Sequence, residues 1–168
     1  SSQVAEVLFD VPDPYNQRIV INKGQVKDVA LGSPVIDAGG VVGQVTRVYP
    51  LTAEVTLLTD RDQSIPVVNG RTGARNIASG DILAGVPRIE LKFVPAGADV
   101  KEGDLLTTSG IDGVYPAGLQ VGRISHIERR VDISFARIHA SPLAALQGRH
   151  VLVLQPTGIT SPVKGKAP

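Results

Sequence analysis

The chain's imidazoles are His126, His139 and His150, and its serines include Ser109, Ser134 and Ser141, so nucleophilic and metal chemistry are tested on these first. The His, Asp, Ser order of barrel proteases is poorly accommodated. The first histidine is His126, which leaves Asp132 and then Ser134 or Ser141 crowded close behind it. A serine-first order would use Ser109, but no Gly-x-Ser-x-Gly elbow is present, and Thr108-Ser109-Gly110 reads more simply as a turn ending a strand. The histidines are spaced by 13 and 11 residues without a His-x-x-x-His pair. His126 and Glu128 share one strand face, which a surface polar pair explains equally well. Thr59-Asp60-Arg61-Asp62 reads as a polar turn between strands. There is no Gly-x-x-x-x-Gly-Lys, and Gly39-Gly40-x-x-Gly43 lacks the following helix that would hold an anion. The residues predict no catalytic site, no metal site and no cofactor.

Binding is the remaining chemistry. Arg123, Arg129, Arg130 and Arg137 lie close in sequence, but a base-stacking platform needs interleaved aromatics, and Phe135 alone is available, expected to face the core. With 17 basic and 16 acidic residues the net charge is +1, so no bulk field draws in a polyanion. Tyr15, Tyr49 and Tyr115 each sit beside a proline at a turn or strand end. Such tyrosines either cap a core or form a protein-contact surface, where tyrosine is favoured. Tyr49 and Tyr115 are the candidate partner-contact residues.

The elements that must position these groups are strands. Val and Ile number 36 against 14 Leu, and 18 Gly with 12 Pro punctuate the whole chain, which excludes an all-α fold. Strands are predicted at Arg18–Asn22, at Val35-Ile36 and Val41-Val42 on either side of a Gly39-Gly40 hairpin, and at Ala53–Leu57. Ile65–Val68 contains Pro66, which predicts an edge or a bulge. In Arg88–Val94, Ile89, Leu91 and Phe93 share one face and the charges the other. Val131, Ile133 and Phe135 repeat that alternation, and Val151–Leu154 is the last apolar run. Ser141-Pro142 followed by Leu143–Leu146 predicts one helical turn ended by Gly148. No apolar stretch is long enough to span a bilayer. There is no Cys, and the absence of any Met, initiator included, reads as a piece of something longer.

An internal echo organises these strands. Asp28-Val29-x-x-Gly32-x-x-Val35 matches Asp99-Val100-x-x-Gly103-x-x-Leu106 at an offset of 71, and Val42-Gly43-Gln44-Val45 matches Val121-Gly122-Arg123-Ile124 at an offset of 79. The second copy therefore carries eight extra residues near Ile111–Gly118. Val-Gly-x-Val is common strand wording and could recur by chance, but order and polarity agree across both motifs, which favours a duplication. The fold class is mainly β: two small β-barrel-like subdomains with short turns and at most one or two short helices. The boundaries read as residues 1–70 for the first unit, 71–88 for a link, 89–155 for the second unit and 156–168 for a flexible tail.

The motifs also carry a resemblance. Asp13-Pro14, Ile19–Gly24, Val41–Val45, Leu57–Asp60, Gly103–Gly110 and Val114–Gly122 occur in an order similar to that of the extracytoplasmic region of the rod-shape-determining MreC family, from about Val7 to Gln155. The resemblance implies a non-enzymatic scaffold of the bacterial cell-elongation machinery, maintaining cell shape by organising peptidoglycan synthesis. It implies a class B penicillin-binding transpeptidase as partner, with MreD, MreB and RodA in the same assembly, and self-association as a dimer or filament through exposed sheet edges. It further implies a periplasmic location at the inner membrane, through an N-terminal anchor helix not present in this chain. The alternative from the residues is a small barrel that binds RNA or a ribosomal partner, resting on the arginine cluster.

Overall fold

Alternating inward β-branched residues form twelve strands in the computed structural model, which describes residues 2–11, 13, 15–130, 132, 134–146 and 148–156. The strands are β1 (Ser2–Asp10), β2 (Arg18–Ile21), β3 (Pro34–Ile36), β4 (Val41–Val48), β5 (Ala53–Leu57), β6 (Ser64–Asn69), β7 (Arg75–Leu83), β8 (Val86–Pro95), β9 (Leu105–Thr108), β10 (Gln120–Glu128), β11 (Phe135–Pro142) and β12 (His150–Leu154). They close into two antiparallel barrels, ordered β1-β12-β3-β4-β5-β2 and β10-β11-β8-β7-β6-β9. Barrels of this size have no lumen, and side chains fill the interior. Ile19, Ile21, Val35, Val45, Val55 and Val153 fill the first; Ile65, Ile89, Leu91, Leu106, Ile124 and Ile138 fill the second.

The echo is structural. Gly32 N donates to Val45 O at 2.9 Å, and Gly103 N donates to Ile124 O at 2.7 Å. Val45 N donates to Ser33 O just as Ile124 N donates to Asp104 O, both at 2.9 Å. β4 and β10 each shift register directly after these residues, between Val45 and Arg47 and between Ile124 and His126. Gly43 and Gly122 are required at matching places: a Cβ on either would run into the neighbouring strand's backbone, at Thr56 and Ser141 respectively. Following the pairings, β3, β4, β5, β2, β1 and β12 correspond to β9, β10, β11, β8, β7 and β6. The second barrel begins with the strand that the first receives last, so the first barrel is a circular permutation of the second, and the second is inserted between β5 and β12.

This corrects the boundaries read from sequence. The first barrel takes residues 2–57 and 150–154, and the second takes 64–142. The proposed 71–88 link contains β7, a full barrel strand. Its mid-strand Gly80 is needed because a Cβ there would strike the backbone of Thr59 and Asp60. The polar turn expected at Thr59-Asp60-Arg61-Asp62 forms between β5 and β6, where the chain crosses between barrels, with Thr59 and Asp60 buried in it. Asp60 accepts from Gln17 N and Asp62 N, both at 2.8 Å.

β6 is not an edge: it pairs with both β7 and β9. Pro66 is tolerated because its carbonyl, and so its missing N–H, faces Ser109, just past the end of β9. The helical turn expected at 141–146 does not form. β11 runs to Pro142, and Ala145 N is drawn instead to Asp37 Oδ2 at 2.7 Å. Among the described residues the helical structure is a 3-10 turn at Gln25–Lys27. Val131 and Ile133 of the expected alternation, and residues 157–168 of the expected tail, lie outside the described residues.

One ion cluster pins the second barrel. Asp104, buried, accepts from Arg71 Nε at 2.7 Å and Nη2 at 2.9 Å, from Asn69 Nδ2 at 2.9 Å and from Lys101 N at 2.9 Å. Arg71's hydrogen bonds hold its carboxyl far below the usual carboxylate range, outweighing burial. Its folded value is depressed, so its stabilisation is present above about pH 4 and is lost as pH falls through the folded value. Asp104→Ala is expected to cost on the order of 1–3 kcal/mol at pH 7, because the Asn69 amide and Lys101 N lose their acceptor while Arg71 keeps only its exposed partner Asp99 at 3.0 Å. Urea unfolding at pH 7 and pH 3 checks this, with the gap between wild type and variant shrinking in acid; equal midpoints at pH 7 would refute it.

Candidate partner-binding surface

Closing both barrels pairs every strand on both sides, so the expected exposed sheet edges are not what a partner meets. Recognition falls to side chains on the outer faces. Of six aromatic residues, Phe9, Tyr15, Tyr49, Phe93 and Phe135 are exposed and only Tyr115 is buried. The cores are aliphatic, and the aromatics have been placed outside.

Two of them meet. Ile89 and Leu91 face the core as expected, but Phe93 does not: the next inward residue is Val94. Between Leu91–Ile138 and Val94–Ala136 the register slips by one residue, a β-bulge at Lys92-Phe93. Phe93 adopts a left-handed backbone, φ 59°, and lies 76% exposed. Phe135, opposite Pro95 and expected inside, is 48% exposed. Their rings stand edge to face with centroids 6.0 Å apart. Ile77, opposite Lys92, extends the apolar face, and Lys92 pairs with Glu90 at 3.4 Å. A left-handed phenylalanine costs on the order of 1–2 kcal/mol, and such strain concentrates at functional positions. Alternation alone could not reveal this pair, because it predicts an inward Phe93.

Farther along β11, His139 is the cross-strand neighbour of His126 on β10, their rings stacked with centroids 6.1 Å apart. The spacing in sequence gave no hint of this pairing. His139 is buried, its Nδ1 has no hydrogen-bond partner among the described residues, and its Nε2 lies 3.9 Å from Asp81 Oδ2. Burial, and then Arg88, hold His139 below the ordinary histidine value against the pull of Glu90 and Asp81. Burial is the largest single influence on Asp81 and opposes its charge, but the Arg88 hydrogen bond at 2.9 Å, the Arg88 charge and the Ile82 backbone N–H together keep that carboxyl below its usual range.

The two tyrosines chosen from sequence part company. Tyr49 sits at the tip of the β4–β5 hairpin, exposed, with its hydroxyl donating to Glu54 Oε2 at 3.2 Å. The turn carrying exposed Val26 docks on this tip through Gln25 N to Tyr49 O and Val26 N to Pro50 O, so Val26, Tyr49 and Leu51 share the first barrel's far end. Tyr115 is 1% exposed, in the second core, which removes it as a contact residue. The eight extra residues of the second copy fold it inward from the β9–β10 loop. Burial, and then Asp112, push its hydroxyl pKa up. Ser109 Oγ accepts from Ile111 N and hydrogen-bonds no histidine or carboxylate among the described residues. Arg123 and Arg129 donate to the carbonyls of Gly103 and Ala98, and Arg130 pairs with Asp132, so most of the basic cluster is committed within the fold. No helix among the described residues is long and apolar enough to cross a membrane.

Two permuted barrels with their aromatics turned outward define a contact module. The chain belongs to the family described as rod shape-determining protein MreC, barrel core, which matches residues 7–155. It is 41% identical to the cell shape-determining protein MreC of Haemophilus influenzae, over 99% of this chain and 47% of that protein. It therefore spans about half the length of such relatives. The crystal structure of MreC from Pseudomonas aeruginosa has 43% identity and a TM-score of 0.88, over 92% of this chain and 99% of that one. MreC in a complex with penicillin-binding protein PBP2 from Helicobacter pylori, 17% identical, shares the fold at a TM-score of 0.68, over 91% of this chain and 96% of that one.

The buried histidine makes the face acid-sensitive. Its folded pKa lies below the unfolded value near 6.5, so the unfolded chain takes up the proton first and stability falls as pH drops below about 6.5. His139→Gln is expected to flatten the pH dependence of the urea midpoint between pH 7 and 5. An unchanged slope would place its origin elsewhere.

Proposed function

We propose that this chain is a non-enzymatic, extracytoplasmic scaffold module of the cell-elongation machinery, and that it docks a class B penicillin-binding transpeptidase on the face carrying Phe93 and Phe135. The observation that carries the reading is the outward aromatic pair, held against backbone strain on a protein of this family. Aromatic anchors of this kind dominate protein interfaces. The Helicobacter pylori complex supports the choice of partner. MreD, MreB and RodA belong to the same proposed assembly, and an anchor outside this chain would hold the module at the membrane. Self-association is proposed through the Tyr49 end of the first barrel, where Val26 and Leu51 stand exposed beside it.

Phe93→Gly separates anchor from fold. Glycine removes the left-handed strain while adding unfolded-state entropy, a destabilisation of similar size, so the melting temperature is expected to stay within a few degrees. Affinity for the transpeptidase is expected to fall at least tenfold, about 1.4 kcal/mol. Calorimetry with the purified extracytoplasmic transpeptidase domain reads this, and unchanged affinity would reject the face. Tyr49→Ala is expected to leave that affinity intact and to shift sedimentation toward monomer; an unaltered distribution would reject the Tyr49 end.

A further inference from the structure

The two barrels do not meet flush. Between them lies a cleft of about 860 Å³, within the range of roughly 300–1,000 Å³ typical of ligand clefts. One wall is the end of β1 and the start of β2, with Val11 and Arg18; the floor is the returning segment at Pro142 and Leu146; the far lip is the β7–β8 turn at Pro87. Phe9 on β1 and Val86 on β8, the sequence neighbours of the lining residues Asp10 and Pro87, are exposed apolar side chains.

Arg18 is the unexplained group. It lies on the outer face of β2, opposite Thr56, and its Nε is buried with no hydrogen-bond partner among the described residues. No carboxylate stands within 4.0 Å of its side chain among the described residues. Asp13, on the same wall, is committed to Tyr15 N at 2.8 Å and to the Asn16 amide, and these bonds, with a weaker attraction to the Arg18 charge itself, hold its carboxyl below the usual range. A buried guanidinium donor left unpaired costs more than an ordinary hydrogen bond returns, and native chains seldom leave one so. Asp10 is the third charge on the wall. One cation beside two carboxylates repels a polyanion such as nucleic acid or a phosphate polymer. The buried, unpaired Nε of Arg18 can still pair with one carboxylate while Asp10 accepts from N–H donors, the pattern of an extended peptide.

We propose that this inter-barrel cleft docks an extended peptide segment of a partner protein, its apolar side chains against Val11, Pro142 and Leu146 and one carboxylate paired with Arg18. The proposal is independent of the transpeptidase face on β8 and β11. Fork-to-fork pairing of guanidinium with carboxylate supplies register, and Asp10 accepts from the peptide's backbone N–H groups.

The test is selection of a random dodecapeptide phage library on this chain, followed by fluorescence polarisation with the labelled winners. Selected peptides are expected to share an Asp, Glu or C-terminal carboxylate next to apolar residues. Affinity is expected to fall at least tenfold with Arg18→Gln, and equally when the peptide's carboxylate is replaced by an amide. Val86→Asp, on an exposed turn, is expected to weaken binding at an unchanged melting temperature. No enrichment, winners without a carboxylate, or winners that bind Arg18→Gln equally would each overturn the proposal and leave the cleft to water.

Discussion

The first barrel cannot close until its sixth strand arrives, and that strand is separated from the other five by residues 58–149. Every β1 residue from Ser2 to Glu6 pairs with β12, and β3 pairs with it at Val35 and Ile36. Without β12, both strands would present free edges. The intervening chain must therefore fold with its two ends close together, and the second barrel does this. Its entry is fixed by buried Asp60, and its exit by Ala145 N on Asp37. Leu146 packs against both cores. Replacing a long flexible loop by a folded domain with fixed ends removes most of the closure entropy that β12 would otherwise face.

Closure has a consequence for recognition. A sheet without edges cannot bind by strand addition, so affinity must come from side chains standing off the barrel surface. Small six-stranded barrels have room inside for Val, Ile, Leu and Ala but little for aromatic rings, and Tyr115 enters only because an eight-residue insertion carries it there. The scarcity of aromatics and their outward placement are thus two sides of one constraint. The β-bulge at Phe93 shows the same economy: the core keeps its aliphatic partner by substituting Val94, and the ring goes to solvent.

Much of this architecture was legible because local pattern and global fold agree at β2, β3, β4, β5 and β12, and because the Gly-Val echo marks equivalent hydrogen bonds in both barrels. What was not legible depends on contacts distant in sequence. β1 has no turn chemistry at its start and only partial alternation. β7 is interrupted by a glycine whose reason, the backbone at Asp60, lies twenty residues away. The membership of β12 in the first barrel is a matter of pairing alone. Ser141-Pro142 carries a sound helix start, overridden because Pro142 still completes a strand opposite Gly122. Tyr49, a candidate contact residue from the sequence, is exposed, whereas Tyr115 and Phe135 lie on the sides opposite to those the pattern predicts, because the insertion and the bulge that place them are invisible to periodicity.

The positions where local rules fail are also where surface chemistry concentrates. Phe93 is strained, and among the described residues the buried His139 Nδ1 and Arg18 Nε have no hydrogen-bond partner. A chain optimised only for its fold would carry none of these, since each has a simple remedy in a smaller or apolar residue. β8 connects two of the surfaces: its second residue, Pro87, lines the inter-barrel cleft, and Phe93 lies six residues on, about 20 Å along an extended strand. That separation is too long for one side-chain cluster and short enough for one partner domain to bridge. Engagement of both ends by a single partner would make the second contact intramolecular, so two modest contacts on one rigid strand suffice for tight binding.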